Sequence, residues 1–170
     1  MHPHIEVNLG GLRMKNPVTV ASGTFGYGEE YDRYFDIAHL GALTTKSLTL
    51  APRKGNPAPR IVETPAGMLN AIGLQNAGIE AYLAHNAPFL RSKAVPIIAN
   101  VYGCSADEYA ELAERLEAAD GADAIEVNLS CPNVHDARTT RGPALVAQAP
   151  EKVEAFTRTV RSATTLPVIV

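Results

Sequence analysis

Cysteine is scarce in these 170 residues, which hold two, Cys104 and Cys131. Two thiols close at most one disulfide and fall short of the four ligands that an iron–sulfur cluster or a structural zinc site needs. Reduced thiols and no metal site are therefore expected. His2 and His4 do not change this, because no third ligand lies near them in sequence, and they read as a solvated terminus. Positive charge is not in surplus either: 15 Lys and Arg stand against 18 Asp and Glu, for a net charge of -3. That balance speaks against a nucleic-acid partner. Long apolar runs are missing as well, since "PIIANV" and "LPVIV" fall well under the roughly 20 residues of a membrane span. The opening "MHPHIEVNLGG" shows no basic region followed by an apolar one, so no secretory signal is visible and a cytoplasmic protein without membrane attachment is expected. A glycine-rich dinucleotide turn is also lacking, for "ASGTFGYGEE" (21–30) does not fit GxGxxG in register.

What remains is the make-up of a globular domain with one core, 46% hydrophobic and 19% charged. Strand-like and helix-like patterns alternate along it. "PVTVASG" (17–23) reads as a strand and "GEEYDRYFDI" (28–37) as helical. "GALTTKS" (41–47) is a second strand, followed by a Pro/Gly-rich connection too long for a turn and a helix near 76–90. "VPIIANVYG" (95–103) is a third strand. After it, "SADEYAELAERLEAAD" carries a capping box at Ser105 and Glu108 and an apolar stripe of Tyr109, Leu112, Leu116 and Ala119. "AIEVNLSCPNV" (124–134) opens as a fourth strand. The helix 150–164, with Val153, Phe156 and Val160 on one face, leads into a fifth strand at "LPVIV".

Repeated strand–helix units argue for an α/β fold with a parallel sheet, either doubly wound or a (β/α)8 barrel. Polar residues gather where strands end, at Ser22, Lys46, Ser47, Asn100 and 128–131, and in a barrel such ends converge on one mouth. The expectation is a TIM barrel of which this chain covers about the first five strands, with residues 1–170 forming the N-terminal part of a single barrel domain.

Side chains alternate along a strand, so Ile125, Val127 and Leu129 should face covering helices while Glu126, Asn128 and Ser130 face the interior. An amide buried there without partners loses about 1–3 kcal/mol, so Asn128 must join a network or meet a polar ligand. Pro132 turns the chain out of the strand and leaves Cys131 at the mouth. A thiol there can act as base or nucleophile, or be inert and half-buried; spacing alone supports both equally.

Four pieces in order, "TTKSLT" (44–49), "MLNAIGLQN" (68–76), "IIANVYG" (97–103) and "VNLSCPN" (127–133), resemble the dihydroorotate dehydrogenase family of FMN-dependent barrels, and the similarity spans essentially the whole chain. "NAIGLQN" is similar to the NAD-linked, two-subunit class (1B), whereas the fumarate-using soluble class would carry Ser-Met in place of Ala71-Ile72. Cysteine at 131 fits both soluble classes; the membrane-bound class carries serine. The resemblance implies oxidation of dihydroorotate to orotate in pyrimidine biosynthesis, with Cys131 as the base at C5 and a hydride passing from C6 to N5 of FMN.

On the same resemblance, Lys46 lies between flavin and substrate, where a fixed charge can stabilise electron density on the flavin; a snorkelling surface lysine is the alternative, and the inward phase of Thr44 and Lys46 at a strand end makes it the weaker one. Asn70, Asn128 and Asn133 match substrate-holding asparagines, each able to donate and accept, with turn chemistry as the alternative. The backbone of Ala71, Ile72, Gly73 and Leu74 matches the substrate loop. Ala21, Ser22, Ser47 and Asn100, with Lys46 and Asn128, match FMN contacts. Partners implied are a second catalytic subunit and an electron-transfer subunit carrying FAD and a 2Fe-2S cluster, together a heterotetramer that hands electrons to NAD.

Other stretches read more plainly. "PRKGNPAPR" (52–60) is an exposed loop, Cys104 a small packed residue, and "HDARTTRGPALVAQ" (135–148) stands where the family often has a Gly-rich lid. The resemblance also implies a lysine next after Val170 and phosphate-binding loops later still, so the 170 residues read as the N-terminal part of a catalytic subunit, inactive by themselves. Two other readings remain open here: a related flavin barrel such as dihydropyrimidine dehydrogenase, and an inactive half-barrel serving binding or assembly.

Overall fold

The structure, a computed structural model, describes residues 5–134 and 145–170. His2, His4 and the 135–144 part of the lid stretch lie outside the described residues. The chain opens with an antiparallel hairpin, β1 (Val7–Leu9) and β2 (Leu12–Met14). A short helix α1 (Glu29–Asp32) and a 3-10 turn (Ile37–His39) lead to β3 (Leu43–Thr44). A second hairpin follows, β4 (Ile61–Thr64) with β5 (Gly67–Asn70). Next comes a helical run of α2 (Gly78–Ala81), a π turn (Tyr82–Asn86) and α3 (Ala87–Ser92). Then come β6 (Ile97–Val101), α4 (Ala106–Ala118), β7 (Ala124–Val127), a 3-10 turn (Val146–Gln148), α5 (Pro150–Ala163) and β8 (Val168–Ile169).

Among the described residues, β3, β6, β7 and β8 form a parallel sheet in that order, with helices in each crossover. Its two faces are sorted by alternation. Ile97, Ala99, Val101, Ile125, Val127 and Leu129 pack outward in one cluster with Tyr82, Leu90, Tyr109, Leu112, Leu116 and Val160 of the helices. Each large apolar side chain buried there is worth about 1.5–3 kcal/mol relative to exposure. The inward face is apolar only at its lower end, where Ala42, Ile98 and Ala124 meet Leu12 and Met14 of the first hairpin. The hairpin thus plugs that end, and the polar residues are left for the other.

Several expectations are corrected. Residues 17–23 lie beside β3, with Gly41 and Ala42 donating to the Val18 carbonyl, but they form no strand. Pro17 has no N–H, and the Val18 N–H is taken by Asn16 Oδ1 at 3.0 Å, so no ladder can run. The long connection holds the second hairpin, whose eight strand residues are all exposed. In α4, Ser105 Oγ accepts from the Glu108 N–H as expected, yet the Glu108 carboxylate accepts from Cys104 N at 2.7 Å and not from Ser105 N. Ala119 is exposed, and Ala113 fills the stripe in its place. Among the described residues no helix is long and apolar enough to cross a membrane.

Glu117 on α4 fastens the approach to β8. Its carboxylate accepts from Thr164 Oγ1 at 2.7 Å, Thr165 N at 3.0 Å and Thr165 Oγ1. These bonds hold its pKa below the ordinary 4.5, with Thr165 the largest cause. A depressed carboxylate adds stability that is fully present above the unfolded value and is lost as pH falls through the folded one. Glu117→Gln should therefore differ from the parent by a constant amount near neutrality, and the two should converge below about pH 4.5. Urea denaturation across pH checks this; a difference that persists unchanged at pH 3 would contradict it.

Candidate active site at the carboxyl ends of the parallel strands

Four polar side chains on or just beyond three neighbouring strands point inward and bond in sequence. Asn128 Nδ2 donates to Ser47 Oγ at 3.2 Å, Ser47 Oγ donates to Asn100 Oδ1, and Asn100 Nδ2 donates to Glu126 Oε1 at 2.5 Å. Ser47 and Asn100 are each only 3% exposed, so neither could be left unpaired cheaply. The register makes the last bond local, since Asn100 and Glu126 are paired positions of β6 and β7. A carboxylate only accepts, so it fixes which way round the Asn100 amide sits, and through it which way Ser47 and Asn128 point their hydrogens.

The backbone carrying Asn128 is clamped from both sides. Its N–H donates to Val101 O at 3.0 Å, and its carbonyl accepts from the Tyr109 hydroxyl at 2.6 Å. Burial pushes the Tyr109 phenol well above its ordinary range, so the hydroxyl remains a donor. Beyond Asn128 the strand ends: Ser130 N donates to Asn128 Oδ1 at 3.3 Å, Pro132 follows, and Cys131 is left half-buried. It lines a cavity of about 420 Å³ together with Lys46, Ser47, Asn128 and Asn133. Lys46 enters from the end of β3, its N–H donating to Gly26 O at 2.9 Å, which brings the 22–24 turn over it. No carboxylate among the described residues pairs with the Lys46 ammonium.

The opposite wall is the end of β5 and the stretch after it. Asn70, Ile72, Gly73 and Leu74 face the cavity. Gly73 has φ 76°, and a Cβ there would lie 2.7 Å from Asn56 Cγ, so both conformation and space require glycine. Leu74 shares the left-handed region at φ 55° and is held by Asn76, whose Nδ2 donates to the Leu74 carbonyl at 2.8 Å. Asn76 also accepts from Gly78 N at 2.9 Å through Oδ1 and is buried.

The cavity therefore gathers Ser22, Lys46, Ser47, Asn70, Ile72, Gly73, Leu74, Asn128, Cys131 and Asn133. Ala21, Ala71 and Asn100 do not line it. Ala21 and Ala71 are exposed and serve through their carbonyls, to Thr24 and to Asn56 respectively, while Asn100 lies behind Ser47. Glu126 and Asn76 join the site beside the residues expected from the sequence; the inward phase of Glu126 is a usable signal, and Asn76 closes the piece "MLNAIGLQN". Cys104, expected to be packed, is exposed. The 52–60 stretch is not merely exposed chain, because Arg53 pairs with Asn76, Asn56 N donates to Ile72 O at 2.9 Å, and Arg60 donates to Gln75 Oε1. Two larger hollows of about 560 Å³ lie elsewhere, around the first hairpin, and the chemistry disfavours them. Arg91 and Asp123 in one of them are already joined by two bonds of 2.8 Å.

Four parallel strands whose polar ends surround one cavity are the arrangement of part of a (β/α)8 barrel. The dihydroorotate dehydrogenase structure of Eimeria tenella in complex with ferulenol has this fold, at a TM-score of 0.69 and 22% identity, over 95% of this chain and 44% of that one. Residues 4–170 match the family Dihydroorotate dehydrogenase, and the chain belongs to that family. Curated relatives include the dihydroorotate dehydrogenase B (NAD(+)) catalytic subunits of Trichlorobacter lovleyi, 60% identical over 79% of this chain and 44% of that protein. Those of Geobacter sulfurreducens and Desulforamulus reducens are each 49% identical, over 99% and 100% of this chain and 53% and 54% of theirs. Their shared name agrees with the NAD-linked class that "NAIGLQN" resembles. The chain spans about half the length of the curated relatives it matches.

Ser47 is the middle link of the inward chain. In the full-length protein, Ser47→Ala should leave Asn100 Oδ1 and Asn128 Nδ2 unpaired and lower stability by about 1–3 kcal/mol. Urea denaturation measures it; a loss under about 0.5 kcal/mol, the level of a neutral surface change, would show that the bonds do not hold the strand ends.

Proposed function

We propose that the chain is part of a dihydroorotate dehydrogenase that oxidises dihydroorotate to orotate in pyrimidine biosynthesis, and that the cavity beside Cys131 is its active site. The observation that carries this reading is that a thiol, an ammonium without a carboxylate partner among the described residues, and three asparagines face one cavity at the strand ends. In this reading residues 1–170 are the N-terminal part of a single FMN-binding barrel domain.

The residues fit the flavin. The flavin's pyrimidine edge alternates carbonyls with an N–H, and Lys46, Ser47 and Asn128 supply donors and acceptors on the inner face, with Asn100 behind Ser47 orienting its hydroxyl. Ser22 adds a polar rim, and the Ala21 carbonyl, by holding Thr24, shapes the turn that carries it. FMN, when bound, supplies the hydride acceptor. Lys46 contributes a fixed positive charge where negative charge develops. Cys131 accepts the proton from C5 of the substrate, which requires only hydrogen-bond reach and a usable thiolate fraction. Asn70, Asn128 and Asn133 offer donors and acceptors to the carboxylate and ring amides, and the backbone of Ala71, Ile72, Gly73 and Leu74 shapes the facing wall. Electrons leave to NAD through a partner subunit carrying FAD and a 2Fe-2S cluster, in a heterotetramer built on two catalytic subunits. The word "subunit" in the relatives' names supports a partner.

The test uses the full-length catalytic subunit in stopped flow. Cys131→Ala should keep its flavin while flavin bleaching by dihydroorotate slows about a hundredfold or more, the scale of a positioned base. An unchanged rate would remove Cys131 from the chemistry. The parent subunit without a partner should bleach yet reduce NAD slowly, and fast NAD reduction by the subunit alone would remove the partner from the scheme.

A further inference from the structure

We propose that Asn56 is a positioning residue that locks the two walls of the cavity to each other. The proposal rests on the reading that this cavity holds the substrate, and goes beyond it by assigning work to a residue that neither lines the cavity nor touches the reacting atoms. Asn56 sits in the 52–60 stretch, between Gly55 and Pro57. Its Nδ2 donates to Ala71 O at 2.9 Å on one wall and to Asn133 O at 3.1 Å on the other. Both acceptors are carbonyl oxygens, so only the N end of the amide can face them, and its orientation is fixed. The Asn56 backbone adds a third tie, its N–H donating to Ile72 O at 2.9 Å. Arg60 Nη1 in turn donates to the Asn56 carbonyl at 3.3 Å and fixes the stretch itself.

Two further observations point the same way. Asn133 Nδ2 reaches back to Asn70 O at 3.3 Å, so the walls are also joined directly. Gly73 packs so closely that a Cβ there would come within 2.7 Å of Asn56 Cγ and Oδ1 and 2.8 Å of its N. The segment after Cys131 and the segment 70–74 are otherwise carried by different elements, β7 and β5. The two hydrogens of the Asn56 amide, together with the longer Asn133–Asn70 bond, therefore set how far Cys131 stands from the facing wall. A flat ring held between the walls needs that separation to be constant, because misplacement by about 1 Å can cost a factor of a hundred in rate.

The experiment compares the flavin-loaded full-length protein with Asn56→Ala, which removes both donors, and Asn56→Asp, which sets a carboxylate against two carbonyl oxygens. Flavin affinity should stay within about twofold in Asn56→Ala, while orotate binding weakens and the limiting rate of flavin bleaching falls, each by about tenfold or more, with Asn56→Asp the worse of the two. Hydrogen exchange without ligand should speed up in 68–74 and 129–134 together. A folded Asn56→Ala with parental orotate affinity and rate, or exchange that rises in one segment alone, would overturn the proposal. If Asn56→Ala does not fold, Asn56→Ser, which keeps one donor, must lose in the same direction, and a parental result overturns it equally. A parent protein that ignores dihydroorotate and orotate would instead sink the functional reading, while the exchange result would still decide the role of Asn56.

Discussion

Inside a parallel barrel the strand ends are close to one another and shielded from water, so a polar side chain there has to find partners among its neighbours. In this chain the demand is met by one hydrogen-bonded series, Asn128 to Ser47 to Asn100 to Glu126, crossing from the end of β3 to β6 and β7. The rest of the site hangs on it. The carboxylate at its far end leaves a single orientation for each amide, and that fixes which hydrogens of Asn128 remain for a ligand. The first hairpin makes the arrangement possible by filling the other end with Leu12 and Met14, so that apolar packing and polar recognition are separated along the strands.

Loops then bring the chemistry to that platform, and each is tied by a specific bond. Tyr109 holds the carbonyl of Asn128 and so the exit toward Cys131. Asn76 holds the left-handed turn at Leu74. Asn56 joins both walls. Helix α4 thereby has two tasks: Leu112 and Leu116 cover the sheet, while Tyr109 of the same face steadies the site. A core residue and a site residue share one helix face, which couples packing to geometry.

Much of this was legible in the sequence because period-2 alternation is strict in 124–130, where Ile125, Val127 and Leu129 turn outward and Glu126 and Asn128 turn inward as read. The helices 106–118 and 150–163 were legible for the same reason, a clear 3.6-residue period. The two hairpins were not. In the first, the buried residues are only Leu12 and Met14, too few to show a pattern, and in the second Ile61, Val62, Met68 and Leu69 are all exposed, so no face is marked. Asn56 was hidden because its partners, the carbonyls of Ala71 and Asn133, are far away in sequence, and Asn76 because it meets Thr49 across the long connection, which composition does not record. The failed strand at 17–23 shows the converse, a good β pattern defeated by one proline and one side-chain oxygen.

In the proposed function the platform and its two walls hold a planar pyrimidine carboxylate against Cys131. A crystal structure of the full-length subunit with orotate tests this. Orotate should lie in the cavity bounded by Lys46, Asn70, Asn128 and Asn133, with its C5 edge toward Cys131 Sγ and with the Asn128–Ser47–Asn100–Glu126 series intact. Orotate bound elsewhere, or seated with Cys131 turned away and that series broken, would contradict it.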